Sequence, residues 1–329
     1  MEKETTTTII SDPAAWDAFV RSSGNGTVFS TSAWLDAVAP LMGGRTVRVG
    51  AMREGQIVAG VGFVEIDRGG FRKAASPILT PYCGFLHGGA LEGEEDSSGE
   101  ELAGLVRFLR ERYHHVLLAH DPKFTDIRPF SWQGWRAAVR YTYLLDIGDP
   151  ERVREKFRTR ARRQIARAEK EFRVGAGCDP AAIGAIHEQT FRAKGEHPLV
   201  SGSQVAAFAA RLAGLGLIEV RTALDRHDDV AGMQLNVLSG DTVYTLVYGT
   251  APGYHDRGVD SFLMSEAVKR YAGNYRCLDL VGANIPSIAF FKKGFGGDLK
   301  PYYVTERYSS TLAFLAFATY SRTKRLFRA

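Results

Sequence analysis

Thr242-Val-Tyr-Thr-Leu-Val-Tyr248 alternates as a strand does, Gly249-Thr-Ala-Pro-Gly253 interrupts it, and Tyr254-His-Asp-Arg-Gly258 runs directly into the segment Val259 to Tyr271. In that segment Val259, Phe262, Leu263, Ala267 and Tyr271 fall on one face of a helix. Arg276-Cys-Leu-Asp-Leu-Val281 reads as the next strand. After it, Gly282-Ala-Asn-Ile-Pro-Ser-Ile-Ala-Phe-Phe-Lys-Lys-Gly-Phe-Gly-Gly297 begins as a loop and sets two lysines before a glycine-rich bend. A strand, a turn and a helix start expose backbone N–H groups without helical partners, and such a corner can hold an anion.

A second stretch has the same outline. Thr46-Val-Arg-Val-Gly-Ala-Met-Arg-Glu-Gly-Gln-Ile-Val-Ala-Gly60 and Ile218-Glu-Val-Arg-Thr-Ala-Leu-Asp-Arg-His-Asp-Asp-Val-Ala-Gly232 both read as strand, charged turn, strand, and both return strands open with Val-Ala-Gly. The first is followed by a helical pattern from Glu101 to Tyr113, with Leu102, Leu105, Val106 and Leu109 on one face, and by the strand His115 to His120. The order hairpin, helix, strand thus occurs twice. The expected fold class is α/β with mixed sheets, built as two tandem domains, residues 1–146 and 147–329. A length of 329 residues suits two domains.

Glu151 to Arg173 lacks Gly and Pro, is rich in Arg, Ala, Glu and Lys, and predicts one basic helix opening the second domain. Val153, Phe157, Ile165, Ala168 and Phe172 give it a narrow apolar stripe. Its ten basic residues either meet phosphates or are solvated and ion-paired with Glu151, Glu155, Glu169 and Glu171. The net charge of +5 points to an anionic partner.

Several classes are excluded. Cys83, Cys178 and Cys277 are three, widely spaced, and form neither a disulfide framework nor a zinc pattern, so no metal is expected. The opening MEKETTTTII has no apolar core of a secretory signal, and no apolar run reaches membrane-spanning length. A cytoplasmic location is expected. Leu312-Ala-Phe-Leu-Ala-Phe-Ala318, followed by Arg322, Lys324, Arg325 and Arg328, either completes a core or lies peripherally on the inner face of an anionic membrane.

Arg162-Arg-Gln-Ile-Ala-Arg-Ala-Glu-Lys, Asp279-Leu-Val-Gly282 and Phe291-Lys-Lys-Gly-Phe-Gly296 resemble the Fem (FemAB-like) family of non-ribosomal peptidyltransferases. Trp16-Asp-Ala-Phe-Val and Phe29-Ser-Thr-Ser-Ala-Trp34 are similar to that family's opening. The resemblance implies two tandem GNAT (acetyltransferase-like) domains, agreeing with the repeat, and transfer of an amino acid from aminoacyl-tRNA to an amine of a peptidoglycan precursor. Acetyl-coenzyme A enzymes of the GNAT type carry a small residue two positions after the central glycine of their helix start. Here His255-Asp-Arg-Gly258-Val-Asp260 places a carboxylate there, unfavourable beside pyrophosphate unless Arg257 compensates.

The candidate catalytic residues are Lys292, Asp121 and Tyr248. The resemblance makes Lys292 a cation for a phosphate or a developing oxyanion; the alternative is a solvated lysine at a helix end. Tyr248 either donates a hydrogen bond to substrate or packs in its strand. Asp121, before Pro122, either orients the acceptor amine or caps an Asp-Pro turn. Candidate substrate-binding residues are Arg192 and Lys194 in a loop, Tyr254 and Arg257 at the helix start, Lys293 and Arg162. His114 and His115 have no Ser or Cys partner that would make a triad.

The expected activity is N-acyl transfer to an amine of a cell-envelope precursor or surface-polymer sugar. No permanently bound cofactor is expected; the donor, aminoacyl-tRNA or acyl-coenzyme A, is a co-substrate. Partners are an anionic small-molecule or lipid-linked acceptor and charged tRNA. Two alternatives stand: acetyl-coenzyme A-dependent acetylation of a small amine or amino sugar, and a non-catalytic module binding nucleic acid or a membrane surface. The first domain, with Gly69-Gly70 after Phe63 and no clear anion-binding helix start, is expected to be degenerate and to shape the acceptor site.

Overall fold

The structure is a computed structural model that describes residues 5–88, 98–192, 198, 200–315 and 317. The first repeat comprises β1 (Thr6–Ile9), α1 (Pro13–Ser22), α2 (Ser32–Val38), β2 (Arg45–Arg53), β3 (Gln56–Arg68), β4 (Phe71–Ala75), β5 (Phe85–His87), α3 (Ser98–Arg112), β6 (His115–Ala119), α4 (Arg128–Trp132) and β7 (Arg136–Asp146). Then come α5 (Pro150–Glu155) and α6 (Thr159–Ala168). The second repeat follows as β8 (Arg173–Ala176), α7 (Pro180–Arg192), α8 (Gly202–Gly214), β9 (Ile218–Leu224), β10 (Val230–Ser239), β11 (Thr242–Thr250), α9 (Val259–Tyr271), β12 (Cys277–Asp279), α10 (Pro286–Lys293) and β13 (Asp298–Tyr308). Setting β5 aside, both repeats run β-α-α-β-β-β-α-β-α-β. The α/β class and the duplicated module are as the hairpin pattern predicts.

The chain forms two compact units, Met1–Val139 with Tyr302–Ala329, and Arg140–Pro301. Strands of the first unit run in the order β1-β2-β3-β4-β6-β13, with β5 on β3; those of the second run β7-β12-β11-β10-β9-β8. The terminal strand of each repeat is exchanged. Val304 to Tyr308 of β13 pair with β6, and Leu144 to Asp146 of β7 pair with β12. In the first unit α3 buries Leu102, Leu105, Val106 and Leu109 against Val49, Phe63, Val116 and Leu118. In the second, Met264, Ala267 and Val268 of α9 pack with Val243, Leu278 and Phe295.

The basic stretch 151–173 is not one helix. It breaks after Glu155 and resumes at Thr159. Phe157 turns inward to 3 % exposure, its ring 5.3 Å from that of Phe295, and Arg158 N donates to Gly294 O at 2.8 Å. Helix propensity is worth tenths of a kcal/mol per residue, and burial of an aromatic ring is worth more. The apolar stripe survives the break, since Val153, Phe157, Ile165, Ala168 and Phe172 are all buried. Gly69-Gly70, both at positive φ, form the tight turn between β3 and β4, not the start of a longer loop. Among the described residues, no helix is long and apolar enough to cross a membrane.

Candidate active site

The second unit opens where two of its central strands part. β11 pairs in parallel with β12 only from Thr242 to Tyr244, opposite Cys277 to Asp279. β11 itself bulges, because its register against β10 slips between Leu235 and Asn236 and leaves Leu246 as the extra residue. Beyond Asp279 the chain stays with β7: Leu280 N donates to Tyr143 O, Ala283 N to Tyr141 O, and Tyr141 N to Asn284 Oδ1. Residues 245–250 and 280–284 therefore diverge as the walls of a cleft.

The 281–282 peptide is held in an unusual shape. Val281 has φ +47° and Gly282 φ +73°. A β-branched residue in the left-handed region costs roughly 1–3 kcal/mol and persists only where its surroundings impose it. Two groups impose it here. The buried Asp279 carboxylate accepts from Val281 N at 2.8 Å and from Thr142 Oγ1 at 2.5 Å. Lys292 Nζ donates to both carbonyls, Val281 O at 2.5 Å and Gly282 O at 2.7 Å.

Lys292 is only 2 % exposed, so it is not a solvated lysine at a helix end. Its ammonium lies 5.5 Å from the centroid of Tyr248, whose ring also meets Phe291 at 5.8 Å. Burial and the nearby Asp260 charge raise the Tyr248 phenol well above its usual range, so it stays a neutral hydrogen-bond donor. Lys292 and Tyr248 thus come together at the cleft. A buried cation beside a neutral phenol favours negative charge developing on a carbonyl oxygen.

The helix-start corner is occupied by the chain's own groups. Gly258 (φ +79°) caps α9, and a Cβ there would lie 2.8 Å from Gln164 O, so the backbone of α6 rests against it. The Asp260 carboxylate accepts from Thr250 Oγ1 at 2.7 Å in the first turn of α9, placing an internal anion at the positive helix end. Arg257 Nε donates to Glu171 Oε2 at 2.8 Å, and its guanidinium sits 5.1 Å from the Phe172 ring and 4.9 Å from that of Tyr254. Arg257 in turn holds the Glu171 carboxyl below its ordinary range. Tyr254 Oη donates to Asp225 Oδ2 at 2.8 Å, which raises its own pKa. Arg257 and Tyr254 are thereby joined in a clasp over the α6–α9 junction.

Arg162, Arg192 and Lys293 are exposed, and Lys194 lies outside the described residues. Asp121 is in the first unit, where its carboxylate accepts from Lys123 N at 2.8 Å and its carbonyl from Phe124 N, which makes it a turn cap. Thr142 and Asn284 were missed in the sequence, and Asp279 and Val281, quoted there only within a motif, were given no role. The Val-Gly pair closing a strand before an Asn was the available signal. No group of His, Cys, Asp and Glu that could hold a metal occurs among the described residues.

In the first repeat the corresponding opening is filled. β4 and β6 pair from Lys73 to Ala75, and then residues 76–84 fold back between them. Ser76 N donates to Leu117 O, Cys83 N to Ala119 O, and Ser76 Oγ both donates to Cys83 O and accepts from Ala119 N, all at 2.8–2.9 Å. Cys83 is 1 % exposed, and burial pushes its thiol up to about 12.

The family model for the acetyltransferase (GNAT) domain matches residues 155–293, the stretch containing this cleft. No curated protein matches the chain in sequence. Among solved structures, FemX is similar with a TM-score of 0.68 at 12 % identity, covering 90 % of this chain and 96 % of its own. The L-PGS structure from Bacillus licheniformis gives 0.55 at 11 % identity, covering 92 % and 94 %. A tandem GNAT protein from the clavulanic acid biosynthesis pathway gives 0.54 at 10 %, covering 93 % and 99 %. At these identities the likeness is one of fold, and the fold is that of tandem GNAT proteins.

Proposed function

We propose, from the premise that residues 155–293 form a GNAT-type acyltransferase domain, that the protein transfers an aminoacyl group from an ester carrier of the aminoacyl-tRNA kind to an amine of a cell-envelope precursor or surface-polymer sugar. The observation that carries this is the parting of β11 and β12 around Lys292 and Tyr248. The neutral amine attacks the ester carbonyl, the new C–N bond forms as the C–O bond to the carrier breaks, and the amine proton leaves with the carrier oxygen. Lys292 stabilises the charge that builds on the carbonyl oxygen, and Tyr248 donates toward it.

The choice of donor rests on the helix start. A coenzyme A pyrophosphate needs free helix N–H groups and close backbone approach. Here Asp260 places a negative charge in that turn and Gln164 backs against Gly258. An ester donor avoids both obstacles. The resemblance to the Fem family and the fold likeness to FemX support an envelope acceptor.

Purified protein offered charged tRNA, acetyl-coenzyme A or neither, with amine acceptors, tests the reading. Transfer from charged tRNA is expected, with a loss of about 10²–10³-fold in Lys292→Met. Unchanged turnover in that variant removes Lys292 from the site. Turnover with acetyl-coenzyme A alone establishes the acetyltransferase reading instead, and salt-sensitive binding without transfer establishes the non-catalytic one.

A further inference from the structure

We propose that the second unit carries a separate binding site for a neutral sugar, at the end of β11 remote from Lys292. A cavity of about 430 Å³ lies there, lined by Glu219 of β9, Gly240 in the β10–β11 turn, Arg270 and Tyr271 at the end of α9, and Asn274 and Tyr275 just after it. That volume falls in the range of small-molecule sites, about 300–1,000 Å³. The two turns are tied together, since Asp241 O accepts from Arg276 N at 2.8 Å and from Cys277 N at 3.1 Å. Tyr271 O accepts from Asn274 N at 3.2 Å and from Tyr275 N at 3.0 Å, so the walls are fixed before a ligand arrives. The cleft opens only beyond Tyr244, which places the two sites about 20 Å apart along β11.

The lining sets the chemistry of the ligand. Its carboxylate and its guanidinium already meet, with Glu219 Oε1 3.5 Å from Arg270 Nε, and Arg221 Nη1 shares the same oxygen at 3.2 Å. An ionic ligand therefore has to break a pair that is already made. Tyr271 is 2 % exposed, and its Oη lies near Glu219 and Asn236 yet completes a hydrogen bond with neither; the buried Asn236 Oδ1 is also unmet. Burial and the Glu219 charge hold this phenol well above its usual range, so it remains an O–H donor. Ligand hydroxyls that take up Arg270 leave Glu219 free to accept from Tyr271. A hydroxyl both donates and accepts, which suits an acceptor and donors set side by side; a carboxylate only accepts and an ammonium only donates. The Tyr271 and Tyr275 rings meet edge to face, centroids 5.8 Å apart at 87°, and give the site an apolar corner. The C–H face of a pyranose packs against such a ring while its hydroxyls reach Glu219, Arg270 and the Asn274 amide. Water satisfies the polar groups but leaves the rings uncovered.

Saturation-transfer NMR and calorimetric titration of the full chain test this, with neutral trisaccharides built of glucose, galactose or N-acetylglucosamine as probes and inorganic phosphate alongside. At least one trisaccharide should bind with a Kd of about 1 mM or tighter. Tyr275→Ala and Arg270→Ala should each weaken that binding about tenfold or more, and Lys292→Met should leave it unchanged. Thermal melts confirm folding, and Arg270→Ala, which alters an exposed side chain, serves if Tyr275→Ala does not fold. Binding is read without turnover, so the result stands apart from the choice of acyl donor. Three results overturn the proposal: no trisaccharide binding by the wild type, whether or not phosphate binds; equal binding by both cavity variants; or binding lost in Lys292→Met and kept in the cavity variants, which places the sugar in the cleft.

Discussion

The two repeats share one order of strands and helices and part company at one place. In the second, β11 and β12 separate after three residue pairs, and the gap is lined by the ammonium of Lys292. In the first, β4 and β6 also pair for three residues, but Ser76 to Gly84 returns between them. Beyond β6 the first unit places His120, fully buried, stacked with Phe85 and Phe124 and edge-on to Phe130, with Nε2 2.8 Å from Thr305 Oγ1. Burial lowers that imidazole to about 3 and keeps it neutral. One copy retains a charge and a cleft; the other has exchanged both for packing. Two copies of one order of strands and helices thus differ where their parallel strands part: one holds a buried ammonium there, the other a packed loop.

The strongest way to break this contrast is at Asp279. Asp279→Ala removes the acceptor of Thr142 Oγ1 and Val281 N and leaves a strained valine held by Lys292 alone. Urea unfolding should show a loss of about 3 kcal/mol, with turnover lost as well. A stable, active variant would mean that the cleft does not depend on this anchor.

Acid probes the other repeat. The His120 imidazole takes up a proton near 6.5 when unfolded but only near 3 when folded, so stability contributed by its neutral form is lost as pH falls through that window. At pH 5 the loss should be about 2 kcal/mol relative to pH 7, and His120→Phe should flatten the dependence. His87, His115 and His187, also lowered by burial, act with the same sign. An unchanged slope in His120→Phe would assign the acid response to those three.

Two smaller effects sharpen the comparison. Asp260→Ala should strengthen acetyl-coenzyme A binding about tenfold in calorimetry if the carboxylate, rather than Gln164, excludes pyrophosphate. Ser76→Ala should cost about 1 kcal/mol in a thermal melt and leave turnover per folded molecule unchanged. Lost turnover there would show that the sealed opening of the first repeat takes part in function.

Much of the fold was legible because its signals are local. The two Val-Ala-Gly hairpins, the helix face of Val259, Phe262, Leu263, Ala267 and Tyr271, and the stripe from Val153 to Phe172 depend on periodicity alone. The break at Phe157 was not legible, since it depends on Phe295, remote in sequence. Nor was the burial of Lys292. Its position beside Lys293 says nothing about which lysine turns inward, and that choice is made by the carbonyls of Val281 and Gly282 in their left-handed geometry. Arg257 illustrates the reverse case: the sequence places it at the helix start, and only the fold shows it committed to Glu171.

The exchange of terminal strands has a consequence for biosynthesis. His120 and Thr305, bonded in the finished protein, are separated by 185 positions along the chain. On a ribosome the first half emerges with the outer side of β6 bare, and its seal arrives only with the final strand of the second half. Synthesis is therefore nearly over before either sheet can close, and the nascent chain must be shielded from neighbours through that interval. A gene cut between the repeats should yield two insoluble fragments that regain solubility only when co-expressed.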